Sequence, residues 1–98
     1  MKVRLLAFAM AELEEAAAYY DRARPALADA LYDEVETALT FIAEYPEASP
    51  KTTHGGRRYN LKRFPYFLIY RVAVDEIVVG VIGHAHRSPG YWHDRDFD

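Results

Sequence analysis

The residues best suited to chemistry are concentrated near the C-terminus of this 98-residue chain. His84, His86, Arg87 and Tyr91 place two imidazoles, a guanidinium and a phenol close together in sequence. Cleavage of an RNA backbone through its 2′-hydroxyl needs a general base, a general acid and a cation that stabilises the phosphorane. These four side chains could supply those roles. The structural alternative is that Arg87 pairs with a carboxylate or a main-chain carbonyl, or anchors the tail.

A metal site is a second chemical reading of the same histidines. His84 and His86 would share one face of a strand, because side chains alternate along it, and His93 or Asp94 could be a third ligand. No defined metal-binding motif accompanies them. We therefore favour one hydrogen-bonded and one solvated histidine, and we expect no metal and no cofactor.

An aromatic pair, Tyr91 and Trp92, follows these cations directly. Aromatic side chains beside cations suit a protein interaction hot spot or a stacked nucleobase. For Trp92 we favour a structural role, a lid folded back on a small core, because large aromatic side chains bury most of their surface.

Charge is unevenly distributed along the chain. Residues 1–50 carry four basic and ten acidic side chains, whereas residues 51–98 carry eight basic and five acidic ones. Such asymmetry indicates an acidic partner or a nucleic acid, and a solvated strand face explains it equally well. The formal net charge of −3 argues against a general nucleic-acid binder. Residues 51–71 contain no carboxylate and six cations: Lys51, Arg57, Arg58, Lys62, Arg63 and Arg71.

Composition excludes several classes of protein. The absence of cysteine excludes a disulfide scaffold, a thiolate metal site and a thiol nucleophile. No apolar run is long enough to cross a membrane, and the N-terminal residues lack the cleavage site of a signal peptide. We expect a cytoplasmic protein with no membrane partner.

Hydrophobic periodicity predicts a single α+β domain over residues 1–98 with the order β-α-α-β-β-β. An antiparallel helical hairpin would pack on one face of a mainly antiparallel sheet. The first strand is apolar on both faces, which places it inside the sheet or under the helices. The predicted segments are strand 3–8, helices 9–21 and 25–44, and strands 57–63, 66–72 and 77–84.

The last predicted strand is also apolar on both faces, so we expect it at the centre of the sheet. Gly80 and Gly83 within it indicate a close approach by a helix or a β-bulge. Helix residues on the apolar stripes should pack on Leu61, Ile69, Val79 and Val81 or on their strand neighbours. These helix residues are Leu13, Tyr20, Leu31, Val35, Leu39 and Ile42.

The chain resembles the RelE/ParE superfamily of toxins from type II toxin–antitoxin modules, closest to the ParE-like, plasmid stabilisation branch. The resemblance covers nearly the whole chain. It is most specific at residues 63–72 (RFPYFLIYRV) and at the ending H-x-x-R-x-P-x-x-W, formed by His84, Arg87, Pro89 and Trp92. It implies the two-layer α+β fold, growth inhibition, and a cognate antitoxin whose C-terminal segment wraps the toxin in a hetero-oligomer.

The resemblance implies two alternative mechanisms. RelE-type members are ribosome-dependent endoribonucleases that cleave mRNA, whereas ParE-type members inhibit DNA gyrase. Phe67 stands where RelE-like sequences carry a phosphate-binding arginine, while Arg87 matches the arginine of their ending and Tyr91 lies near their tyrosine. We therefore favour gyrase over the ribosome with mRNA as target. A degenerate member that binds its antitoxin without toxicity is a third reading.

The sequence also suggests which residues contact the antitoxin or the target. If the protein is a ribonuclease, the catalytic candidates are His84, His86, Arg87 and Tyr91. In either case the expected contact residues are Arg57, Arg58, Lys62, Arg63, Arg87, Tyr91 and Trp92.

Overall fold

The computed structural model describes residues 1–87 and 90–97, and it has the predicted α+β architecture. Two helices pack on a four-stranded sheet of order β1-β4-β3-β2. β1 pairs with β4 in parallel, and the other two strand pairs are antiparallel. The elements are β1 (Lys2–Leu5), α1 (Ala7–Ala23), α2 (Pro25–Glu44), β2 (Arg57–Asn60), β3 (Tyr66–Val72) and β4 (Glu76–His84).

The helical hairpin forms where the sequence predicts it. A single extended residue, Arg24, separates α1 from α2, and its backbone N–H donates to the carbonyl of Tyr20 at 2.9 Å. Pro25 begins α2, where its missing N–H has no helical partner to lose. Tyr45 ends α2 because a residue that precedes proline avoids the helical region. Neither helix is long and apolar enough to cross a membrane, within the part of the chain that the structure describes.

The first strand differs from its prediction. β1 is only four residues long and lies at the edge of the sheet, with every second residue exposed. Leu6 continues the pairing through its N–H to the carbonyl of Val79 at 2.9 Å, and α1 begins at the next residue. Phe8, predicted as strand, lies in α1 with 63% of its surface exposed. Hydrophobic periodicity could not place the boundary between β1 and α1, because a short, mostly apolar segment fits a strand as well as the start of a helix.

A β-bulge at Gly80 confirms one of the two readings of the glycines in β4. Ile69 pairs with Val81 and Tyr70 pairs with Val79, so Gly80 is an extra residue in β4. A Cβ atom at Gly80 would lie 2.4 Å from the ring of Phe97. The group that approaches the strand is therefore a tail aromatic and not a helix.

The bulge decides which side chains of β4 face the helices. Val79 and Ile82 lie in the core under the helices, whereas Val78 and Val81 face the opposite side. Of the predicted core contacts, Leu61 and Val79 lie on the helix side. Ile69 and Val81 lie on the opposite side of the sheet. Their strand neighbours Leu68, Tyr70 and Ile82 lie in the core under the helices instead.

The face of the sheet opposite the helices is also covered. Phe67, Ile69, Val78, Val81 and Phe97 form a second buried cluster. Leu6 and Trp92 pack against it while remaining partly exposed. The C-terminal segment therefore lies across the sheet face that the helices leave free, and it brings the chemically capable residues of the tail against the body of the fold.

Candidate functional site

One carboxylate joins α1, β4 and the C-terminal segment. Glu12 forms an ion pair with Arg95, with Oε1 at 2.8 Å from Nη1 and Oε2 at 2.9 Å from Nη2. Its Oε1 also accepts the backbone N–H of Ile82 at 3.0 Å, and its Oε2 accepts the hydroxyl of Tyr91 at 3.3 Å. The side chains of Glu12 and Arg95 are only 16% and 17% exposed. A bidentate ion pair of this kind fixes the relative orientation of the two side chains and adds electrostatic attraction between them.

Sequence reasoning missed both members of this ion pair. One signal was present for Glu12: it lies three residues after Ala9 and four before Ala16, within the buried stripe of α1. A carboxylate in an apolar stripe needs a partner, because burial of an unpaired charge is costly. Nothing in the local sequence indicates that the partner is Arg95, 83 residues away.

Electrostatics at this cluster follow from its burial. Hydrogen bonding to Glu12 raises the pKa of Arg95, and the Coulombic attraction of the carboxylate acts in the same direction. Burial is the largest cause that raises the pKa of Tyr91, and the charge of Glu12 raises it further. The guanidinium of Arg87 acts in the opposite direction on Tyr91. At neutral pH the cluster therefore holds a charged pair and a neutral phenol.

A groove of about 570 Å³ runs between α1 and the end of β4. This volume is within the usual range of binding clefts. Arg22 and Arg87 lie on its walls, and neither guanidinium forms an ion pair within residues 1–87 and 90–97. The groove is lined by Glu12, Glu15, Ala16, Tyr19, Tyr20, Arg22, Pro65, Tyr66, Ile82, His84, Arg87 and Tyr91.

Three of the four predicted catalytic candidates meet in this groove. His84, Arg87 and Tyr91 all line it, and the guanidinium carbon of Arg87 lies 3.9 Å from the centre of the Tyr91 ring. The Nδ1 atom of His84 accepts the backbone N–H of His86 at 3.1 Å, which leaves Nε2 to carry the proton of the neutral ring. His86 itself is exposed, with its ring centre 5.3 Å from that of His84.

The structure does not combine the histidines into a metal site. His93, the suggested third ligand, stacks on His54 with 3.5 Å between ring centres. Within the described residues no three histidine, aspartate or glutamate side chains are grouped so that they could hold a metal ion. Ser88, Pro89 and Asp98 lie outside the described residues.

Two of the predicted contact residues are occupied by bonds within the chain. Arg57 donates from Nη1 to the carbonyls of Ser49 and Glu47, at 2.8 and 3.1 Å, and so holds the loop before β2. Arg58 donates from Nε to Asn60 at 2.8 Å, and its guanidinium carbon lies 3.8 Å from the centre of the Phe67 ring. Both side chains are half-buried.

Lys62 and Arg63 occupy a different part of the surface. Their backbone N–H groups donate to the carboxylate of Glu34 on α2, at 3.1 Å for Arg63. Both residues are exposed, and the guanidinium carbon of Arg63 lies 5.7 Å from the centre of the Phe64 ring. The basic residues therefore do not form one continuous strand face.

Trp92 adopts the lid arrangement favoured from the sequence. Its ring packs on Phe67 with 5.1 Å between ring centres, and Phe67 is only 2% exposed. Tyr91 meets Trp92 edge-on at 5.2 Å. Phe67 stands at the position of the RelE-like arginine. Its ring contacts both the guanidinium of Arg58 and the ring of Trp92.

Comparison with known proteins agrees with this architecture. A family model described as the ParE toxin of the type II toxin–antitoxin system parDE matches residues 3–89. A Sinorhizobium fredii protein, Y4kP, assigned as a toxin, is 30% identical over 88 residues, which cover 89% of this chain and 91% of that protein.

A solved structure is similar over a comparable length. A chain of the chromosomal ParDE TA system from P. aeruginosa superimposes with a TM-score of 0.73 and 26% identity, over 88% of this chain and 97% of that one. The family match over residues 3–89 spans most of β1, the helical hairpin and the three later strands. The chain belongs to the ParE toxin family of type II toxin–antitoxin systems.

Proposed function

We propose that this ParE-family protein is a cytoplasmic toxin that inhibits DNA gyrase and is neutralised by a cognate antitoxin. The observation that carries the choice of target is the burial of Phe67. RelE-like sequences carry a phosphate-binding arginine at this position, whereas Phe67 is 2% exposed and contacts Arg58 and Trp92. Loss of one donor to a charged transition state typically lowers a rate by about 10²–10³.

The alternative, cleavage of mRNA on the ribosome, is favoured by a different observation. His84, Arg87 and Tyr91 share one groove, which gives a titratable ring, a cation and a phenol in proximity. However, Tyr91 is a neutral phenol at neutral pH and a poor general base, because the ordinary pKa of tyrosine lies well above 7 and burial raises the pKa of Tyr91 further. The arrangement therefore suits protein recognition through a cation and aromatic rings better than phosphoryl chemistry.

The decisive experiment compares two targets with the same purified protein. We expect it to block supercoiling by DNA gyrase and to leave mRNA on translating ribosomes intact. Arg87→Ala should weaken gyrase inhibition about tenfold, because a guanidinium that stacks on an aromatic ring, and forms no ion pair with the described residues, is a typical hot-spot group. Arg24→Ala removes an exposed cation between the helices and serves as the matched control. Codon-specific mRNA cuts that disappear in Arg87→Ala would instead establish the ribonuclease alternative.

The antitoxin is tested by co-expression with any small protein whose reading frame adjoins this gene. Expression of the toxin alone should arrest growth, and co-expression should restore it. Exposed cations such as Lys62, Arg63 and Arg87 favour an antitoxin segment that carries carboxylates. Association should then slow as the salt concentration is raised. A chain that binds the neighbouring protein without arresting growth would be a degenerate, non-toxic member.

A further inference from the structure

We propose that Glu12 is the positioning residue of this site: it holds Tyr91, and through Arg95 the C-terminal segment, so that Arg87 and Tyr91 face the groove in one fixed arrangement. The assignment of that face to target binding rests on the proposed function. The positioning itself rests on the contacts of Glu12 alone and is tested separately below.

The acceptor capacity of Glu12 is taken up within the chain. Oε1 accepts from Ile82 and Arg95, and Oε2 accepts from Tyr91 and Arg95, at distances of 2.8 to 3.3 Å. Each oxygen thus has two donors. Although Glu12 lines the groove, it therefore acts on a ligand through its neighbours and not by direct contact.

The opposite end of the ion pair is anchored at the β-bulge. Arg95 donates from Nη1 to the carbonyl of Gly80 at 3.1 Å as well as to Glu12. Gly80 is the extra residue of β4, and a bulge disturbs the hydrogen-bond ladder locally. At the bulge, the carbonyl of Gly80 therefore accepts a hydrogen bond from the tail residue Arg95, and the carboxylate of Glu12 holds the guanidinium in that position.

The carboxylate of Glu12 also positions Tyr91, one of the aromatic side chains that line the groove. The hydroxyl of Tyr91 donates to Glu12, and the ring of Tyr91 supports the guanidinium of Arg87 at 3.9 Å. Within the described residues, Arg87 contacts the segment of residues 90–97 through the ring of Tyr91. Release of Tyr91 would therefore remove the support of Arg87 as well as that of the tail.

The test uses Glu12→Gln, which keeps the shape of the side chain and removes its charge. Amide hydrogen exchange of residues 90–97 should accelerate at least tenfold, while amides of α2 and β3 keep their protection. Glu14→Gln, an exposed neighbour on α1, is the matched control and should leave the exchange unchanged. If Glu12→Gln does not fold, Arg95→Gln breaks the same ion pair from the tail and should give the same local effect.

A second readout reports on Tyr91 itself. Burial is the largest cause that raises the pKa of Tyr91, and the charge and the hydrogen bond of Glu12 raise it further, so Glu12→Gln should lower that pKa part of the way towards its ordinary value. The titration is followed by tyrosinate absorbance, and subtraction of the corresponding Tyr91→Phe curve isolates this residue. Unchanged exchange of residues 90–97 together with an unchanged pKa of Tyr91 would overturn the proposal.

Activity then separates positioning from the proposed function. Glu12→Gln should weaken gyrase inhibition by about the tenfold expected of Arg87→Ala, since both disturb one face. If wild-type protein does not inhibit gyrase, the proposed function fails, whereas exchange and titration still decide the role of Glu12. If wild-type protein inhibits gyrase and Glu12→Gln inhibits it equally despite a released tail, the assignment of this face to target binding is wrong, whereas the released tail still supports the positioning role of Glu12.

Discussion

The helix-covered face of the sheet is held by a broad apolar core, whereas the tail-covered face combines a small apolar cluster with charged contacts. Among the residues that the structure describes, sixteen buried residues form the first cluster and five form the second. Helices bury a continuous stripe of side chains, but residues 90–97 of the tail contain no helix or strand and only short turns. Its attachment therefore depends on the Glu12–Arg95 ion pair and on Arg71, whose guanidinium carbon lies 4.6 Å from the Phe97 ring centre.

The two faces of the sheet should therefore have different roles, the helix-covered core in global stability and the tail-covered face in binding. A segment held by few buried contacts opens locally at lower free energy than a core helix. The tail carries Tyr91 and Trp92, the aromatic candidates for target binding. We therefore expect substitutions under the helices to affect global unfolding, and substitutions under the tail to affect local opening and binding.

The largest expected effect is from truncation in the helix-covered core. Leu31 is fully buried, so Leu31→Ala should lower the free energy of unfolding by about 2–5 kcal/mol, through lost burial and the cavity left behind. Chemical denaturation measures it, and Leu27→Ala, a half-buried position on the same helix, should cost clearly less. A loss below about 1 kcal/mol for Leu31→Ala would contradict the description of this core.

A smaller effect is expected where tail and sheet are in closest approach. Gly80→Ala forces a Cβ atom against the Phe97 ring and should destabilise the protein by about 1–3 kcal/mol. The double variant with Phe97→Ala tests the cause, because removal of the ring should relieve most of the added cost of the alanine. Additive costs in the double variant would show that backbone strain, and not the tail, excludes alanine.

Truncation of the tail itself should have a more limited effect. Phe97→Ala should cost about 1–2 kcal/mol, since the loss cannot exceed the free energy that docks the tail. Amide exchange of residues 90–97 should accelerate, while β3 and α2 remain protected. Phe41→Ala, at a partly exposed position distant in sequence from the tail, is the control. A loss as large as that of Leu31→Ala would remove the distinction between the two faces.

The smallest effect concerns the edge strand β1. The side-chain hydrogen bond from Arg4 lowers the pKa of Glu76 below its ordinary value of 4.5. The folded state therefore gains stability from ionised Glu76 above that value and loses it as pH falls through the lowered pKa. Melting temperatures measured from neutral to acid pH should fall slightly less steeply for Glu76→Gln than for wild type. Arg4 is exposed and Glu76 is partly exposed, so added salt should reduce this difference.

Much of the fold could be predicted because local signals were decisive. α2 has its predicted bounds, since Pro25 suits a first turn and Tyr45 precedes a proline. β3 also has its predicted bounds, and β4 lies at the centre as its apolar residues indicate. β1 could not be placed correctly, because an apolar segment of six residues fits a central strand, an edge strand or the start of a helix.

The sequence by itself determined the α+β class, the order of the elements and the family resemblance, since these depend on periodicity, turn residues and short motifs. Only the tertiary structure decided which side chains of β4 face the helices, because a one-residue bulge reverses the alternation that follows it. It alone brought Glu12 to Arg95 and Tyr91. Contacts between residues about eighty positions apart depend on how the layers pack, and no local pattern encodes that pairing.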